Sequence, residues 1–119
     1  MILKGRSNVA EEHGSKSHGG VGSYSVRTLM TKEFDSGMKY TRELILEPGA
    51  SIGDHRHTGD EEIYFIASGS GVMLVDGEEC VVTEGDLVLT KDGSSHGLRN
   101  TGKEGLRIFV ACVAVPAKK

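Results

Sequence analysis

The sequence predicts an all-β domain, and three observations carry that prediction. From Tyr24 onward apolar and polar residues alternate with period two, turn signals interrupt the alternation, and no stretch of a dozen residues or so sustains a 3.6-residue repeat. Many short strands at spacings of about ten residues point to a sandwich or a barrel. The 119 residues suffice for one domain and are too few for two. A domain of that size buries roughly two-thirds of the surface of its unfolded chain, enough for a real core.

Residues 5 to 23 hold five Gly, four Ser and two His, and predict a Gly/Ser-rich N-terminal arm over 1–23, loose or an irregular edge, rather than a helix. His13 and His18 lie on it and read as solvent-exposed, with extra ligation or substrate contact as the alternative. The barrel domain is predicted over 24–119. Its expected strands are Tyr24–Met30, Tyr40–Glu47, Ser51–His57, Glu62–Ala67, Gly71–Asp76, Glu79–Thr83, Asp86–Leu89, Ser95–Asn100 and Leu106–Val115. Pro48-Gly49 suits a tight turn, Asp76-Gly77 a type I′ hairpin, and Asn100-Thr101-Gly102 a further reversal.

Composition narrows the function classes. Fourteen basic and 17 acidic residues give a net charge of −3, with no concentrated basic run and no Trp, so nucleic acid is not an expected partner. The longest apolar run, Ile108 to Val115, is far shorter than the roughly 20 residues of a membrane helix. The opening Met1-Ile2-Leu3-Lys4-Gly5 lacks the apolar stretch of a secretory signal, which makes a cytoplasmic location the expectation. Cys80 and Cys112 lie in Val-rich segments and are expected to be buried thiols that pack as small apolar residues, not a disulfide or a thiolate metal site.

Three of the five histidines share one geometric story. His55 and His57 are two apart on a strand, so both leave the same face and Arg56 leaves the other. Glu62 opens the next strand after a short turn through Thr58-Gly59-Asp60, and His96 follows the loop Lys91-Asp92-Gly93-Ser94-Ser95. Imidazole and carboxylate together suit a divalent transition metal: Fe, Mn, Co, Ni or Zn.

The spacing around these residues carries a resemblance. Gly49-x5-His55-x-His57-x4-Glu62-x6-Gly69 resembles the first cupin motif, and Gly85-x5-Lys91-x-Gly93-x2-His96-x3-Asn100 resembles the second. One position departs, because Lys91 stands where the family has Pro, which would stiffen the loop before His96. The resemblance implies a double-stranded β-helix (jelly-roll) barrel and one divalent metal ion held by His55, His57, Glu62 and His96. Glu61 is the rival for the carboxylate ligand; the step to Gly69 favours Glu62, with Glu61 and Asp60 on the outer surface or rim. Gly49, Gly69 and Gly85 stand at strand boundaries where positive φ is plausible.

Beyond the ligands, period two from Glu62 aims Tyr64 and Ile66 inward, so Tyr64 is a pocket candidate or a core residue. Arg42 alternates with Leu44 and Leu46 and is a second pocket candidate if that face is inward. Arg99 and Lys91 are weaker ones. The resemblance further implies a metal-dependent dioxygenase, decarboxylase or isomerase acting on a small oxygen-rich or carboxylate substrate, or else a non-catalytic small-molecule binding module. It also implies a homodimer, paired through sheet contacts or exchanged terminal strands.

Overall fold

The computed structural model describes residues 1–117, so Lys118 and Lys119, which close the expected 24–119 domain, lie outside the described residues. Ten strands follow one another: β1 (Glu12–Ser15), β2 (Ser23–Met30), β3 (Met38–Leu46), β4 (Ser51–Arg56), β5 (Asp60–Ser68), β6 (Ser70–Val75), β7 (Glu78–Thr83), β8 (Leu87–Thr90), β9 (Ser95–Asn100) and β10 (Leu106–Ala114). They form a six-stranded sheet ordered β1-β2-β3-β10-β5-β8 and a four-stranded sheet ordered β4-β9-β6-β7. All the pairings are antiparallel. This is the jelly-roll barrel expected of the sequence.

Alternation decides what lies between the sheets. Leu46 on β3, Ile66 on β5, and Leu106 and Ile108 on β10 are fully buried; Ile52, Met73 and Leu98 meet them from the smaller sheet. Each such side chain stabilises the fold by roughly 1.5–3 kcal/mol through removal from water. One end of the interior is therefore closed and apolar, while the other is left to polar residues. No helix among the described residues is long and apolar enough to cross a membrane.

The turns agree with their residues. Asp76 and Gly77 both take positive φ, 49° and 84°, as the two central residues of a type I′ turn must, and they join β6 to β7 with Val75 opposite Glu78. Gly49, Gly69 and Gly85 have φ of 80°, 92° and 91°.

Two differences from the sequence reading have simple causes. A strand, β1, precedes Tyr24 and pairs with β2 from Glu12↔Val26 to Ser15↔Ser23. It holds no apolar residue, so no hydrophobic alternation announces it, and it is fixed by backbone pairing. Gly14 lies so close under Tyr24 that a Cβ there would sit 2.5 Å from the ring. Cys112 is buried as expected, but Cys80 is exposed. Cys80 belongs to β7, an edge strand of the smaller sheet on which only Val82 is buried, so a Val-rich composition there does not imply a core position.

Candidate metal centre

β4 and β9 are hydrogen-bonded neighbours, and their register sets His55 directly opposite His96. His57 follows the end of β4, where its N–H donates to the Ser94 carbonyl (2.9 Å) and its carbonyl accepts from Gly93 N–H (2.7 Å). Ser94 N–H in turn donates to Lys91 O at 3.0 Å. These backbone bonds hold the loop before His96 without the proline that Lys91 replaces. Glu62 arrives from the other sheet on the inward face of β5.

The four side chains converge. His96 Nε2 lies 3.1 Å from His57 Nε2 and 3.2 Å from His55 Nε2, and Glu62 Oε1 lies 3.2 Å from Nε2 of both His57 and His96. One ligand atom from each of the four lies within 4.8 Å of all the others. The outer ring nitrogens are all engaged: His55 Nδ1 faces Gly53 O at 2.8 Å, His57 Nδ1 faces Asp60 Oδ1 at 2.7 Å, and His96 Nδ1 faces Thr90 Oγ1 at 2.7 Å. A carbonyl and a carboxylate only accept, so Nδ1 of His55 and His57 carries the proton. In the neutral rings of His55 and His57 Nε2 is then a lone pair, and these two lone pairs and the Glu62 oxygen outnumber the one proton that His96 Nε2 could carry, since Thr90 Oγ1 can donate or accept. Acceptors that face acceptors in a buried site need a cation between them. Two atoms each about 2.1 Å from one ion stand about 3.0 Å apart at a right angle, close to the spacings seen here. The residues present thus fit a divalent metal ion.

Electrostatics support the ligand states. Burial alone would raise the Glu62 carboxyl, but the adjacent His96 ring, the hydrogen bond from Tyr40 and the nearby His57 outweigh it and hold it below the ordinary carboxylate range. Burial likewise lowers His55, favouring the neutral ring that a metal requires. Tyr40 and Tyr64 are pushed up, first by burial and then by Glu62, so both keep their protons.

A cavity of about 460 Å³ opens beside the cluster and is lined by His55, His57 and Glu62 among others. Tyr64 is buried, lines this cavity and places its ring 4.7 Å from that of His96. Arg42 lines it too, its guanidinium 3.7 Å above the Tyr40 ring, and among the described residues no carboxylate pairs with it. Lys91 and Arg99 are exposed and take no part in the lining. His13 and His18 are both exposed as expected, His13 beside Glu11 and His18 stacked on the His55 ring with centroids 3.7 Å apart. Gly53 makes that stacking possible, since a Cβ there would meet the His18 carbonyl at 2.1 Å.

Asp60 corrects the sequence reading. It was expected on the rim, yet it is buried, accepting from His57 and bonding Lys39 Nζ at 2.6 Å. β5 begins at Asp60, so the two-residue step puts Asp60 and Glu62 on one inward face with Glu61 between them on the other. That alternation was the available signal. Tyr40, two residues before Arg42 and donor to Glu62 Oε2, was missed in the same way. His57, Asp60 and Cys112 also lie close together. Asp60 is already committed to His57 and Lys39 there, and the Cys112 thiol is pushed up to about 11, chiefly by burial. This second group supports His57 from behind.

Known proteins match this picture. An "Oxalate-binding protein" of Thermotoga maritima is 32% identical over 114 residues, covering 95% of this chain and 93% of its own length. The crystal structure of a predicted oxalate decarboxylase from Thermotoga maritima superposes with a TM-score of 0.92 at 30% identity, covering 96% of this chain and 100% of that one. The polyketide cyclase RemF of Streptomyces resistomycificus shares the fold, with a TM-score of 0.77 at 19% identity over 100% of this chain and 88% of its own. The family model described as "Cupin domain" matches residues 42–112, a span that takes in all four converging side chains, and the chain belongs to the cupin family.

Proposed function

We propose that the protein is a metal-dependent enzyme that captures a small carboxylic acid on a divalent transition ion held by His55, His57, Glu62 and His96. The observation that carries this reading is the meeting of three Nε2 atoms and one carboxylate oxygen beside an accessible cavity, with His96 Nε2 3.1–3.2 Å from each of the other three atoms. Bound there, the ion would act as a Lewis acid toward the oxygens of the acid. Arg42, free of a carboxylate partner and held over Tyr40, would pair with the remaining negative charge. Tyr40, protonated and bonded to Glu62, would keep that carboxylate aimed inward. The relative that binds oxalate and the predicted oxalate decarboxylase support a small acid as substrate, with decarboxylation, dioxygenation or isomerisation as the reaction classes in view.

One observation favours capture without turnover. The two tyrosines nearest the cluster are held protonated, so neither serves as a base near neutral pH. The test is metal analysis of protein purified without chelator, then calorimetric titration with oxalate and an assay for released CO2 and consumed O2. About one ion per chain and saturable oxalate binding are expected. Binding without any product, across a screen of small acids and sugars, would select the binding-module reading. No metal even after addition would end both.

A homodimer accompanies this proposal. Phe65 and Phe109 are register partners on the outer face of the larger sheet and are 40% and 37% exposed; Leu87, opposite Phe65, and Leu89 extend the stripe across β8. A contiguous apolar face of this kind suits the same face of a second copy. Light scattering should give twice the chain mass, and Phe65→Lys should halve it; a wild-type mass of one chain would dismiss the dimer.

A further inference from the structure

We infer that the acid taken by this site carries an apolar body behind its metal-binding head, and that a 2-oxo or 2-hydroxy acid with an aliphatic side chain fits it better than oxalate does. The inference rests on the proposed capture of an acid by the metal and specifies which acid.

Size is the first argument. At the roughly 30 Å³ that a water molecule claims in the liquid, a cavity of 460 Å³ holds on the order of fifteen waters. Oxalate, two carboxyl groups joined by a single bond, would displace only a few of them. The rest of the space would stay wet.

The wall of that remaining space is the second argument. Along the inward face of β3 the side chains run Tyr40, Arg42, Leu44, Leu46. Tyr40 touches Glu62, and the Arg42 guanidinium lies over the Tyr40 ring, so the polar part of the wall stands at the metal end. Leu44 comes next, in register with Val26 on β2. Leu44, Val26 and Tyr24 all line the cavity, as does Ile52 from the smaller sheet. Yet Leu44, Val26 and Tyr24 are only partly buried, while Leu46, one inward step further along β3, is fully buried. Inward-facing apolar side chains inside a barrel normally meet the opposite sheet. Here Leu44 and Tyr24 pack against the core on one side and face the cavity on the other, and a ligand that covered the exposed part would gain the hydrophobic term which water at that wall forfeits.

The two ends dictate the chemistry together. Adjacent oxygens of a carboxylate and a 2-oxo or 2-hydroxyl group match an ion flanked by Arg42. An aliphatic chain at the 2-position continues toward Leu44, Val26 and Ile52, with the aromatic face of Tyr24 beyond. A second carboxylate at that end would meet Glu12, which lines the cavity in register with Val26, so it would be desolvated against apolar residues and beside a like charge.

The test is calorimetric titration of the metal-loaded full chain with oxalate, pyruvate, 2-oxobutyrate, 2-oxopentanoate and 4-methyl-2-oxopentanoate. Affinity is expected to rise about three- to fourfold for each methylene added, with the longer acids binding more tightly than oxalate. Leu44→Gln, with its metal stoichiometry checked, should flatten that rise while leaving pyruvate within about twofold. Should Leu44→Gln fail to fold, the wild-type series decides alone. Saturable oxalate binding with affinity flat or falling from pyruvate onward would overturn the inference and leave the metal-dependent capture of a small acid standing. Metal-loaded protein that binds none of these acids would overturn both.

Discussion

Glu43 and Glu62 lie on opposite faces of the same sheet, both buried and both ringed by nitrogen-bearing side chains, yet one belongs to the scaffold and the other to the site. On the outer face, Glu43 receives Arg6 Nε at 2.7 Å on both oxygens, Arg107 Nε at 3.0 Å and Arg27 Nη1 at 3.3 Å. Arg27 Nη1 also reaches Glu11 at 2.9 Å, while its buried Nε has no partner. Guanidinium groups only donate and a carboxylate only accepts, so Glu43 needs nothing further. On the inner face Glu62 meets His57 through a nitrogen that the Asp60 carboxylate leaves as an acceptor, and His96 through one whose outward partner, the Thr90 hydroxyl, can donate or accept. The lesson is that donor and acceptor matching, not the number of charges, separates a closed ion-pair network from a ligand-binding one.

The largest effect should follow from breaking the inner cluster. His96→Ala is expected to weaken metal binding by more than about a hundredfold, since it removes the nitrogen that lies closest to both other imidazoles. Circular dichroism should show the strands retained. Unchanged metal retention in this variant would mean that the second motif does not supply a ligand, and the comparison with Glu43 would lose its basis.

A smaller effect is expected one layer out. Asp60→Ala frees the His57 ring to rotate and removes the acceptor that fixes its tautomer. Metal affinity should fall about tenfold to a hundredfold at unchanged stoichiometry, measured by competition with a chelator. A loss as complete as that of His96→Ala would promote Asp60 from positioning residue to ligand.

These two variants also mark where sequence reading reached its limit. His55, His57, Glu62 and His96 were legible because their spacing sits inside two glycine-framed motifs, and the strands from Tyr24 onward because burial of one face enforces alternation. Asp60 was misplaced by two residues of strand boundary, which is enough to turn an inward carboxylate into a supposed turn residue. The stacking of the exposed His18 on His55 was illegible for a different reason. It depends on β1 and the tight approach of the following turn to Gly53, which are backbone contacts with no hydrophobic signature. The Glu43 network joins residues 6, 27, 43 and 107, whose adjacency exists only after the sheet has paired.

The outer cluster should respond in stability alone. Glu43→Gln takes the countercharge from three guanidiniums but keeps shape and part of the hydrogen bonding. Arg6 and Arg107 are about half exposed, so solvent screens much of the loss. Unfolding free energy at pH 7 is expected to drop by about 1–2 kcal/mol, read from urea midpoints, with metal affinity unchanged within about twofold.

The smallest effect is the pH dependence of that difference, and it sharpens the contrast. Burial pushes the Glu43 carboxyl up, but Arg6 and Arg107 more than offset this and leave it below its ordinary range in the folded protein. A carboxyl depressed on folding contributes stability that is fully present above its unfolded pKa, about 4.3, and is lost as pH falls through the lower folded value. Glutamine carries no such titration. The stabilities of wild type and Glu43→Gln should therefore differ by a constant amount from pH 7 to about 5 and converge below about 4. A gap that persisted undiminished into acid would show that Glu43 acts through shape rather than charge, and that the two carboxylates differ in more than what their neighbours donate.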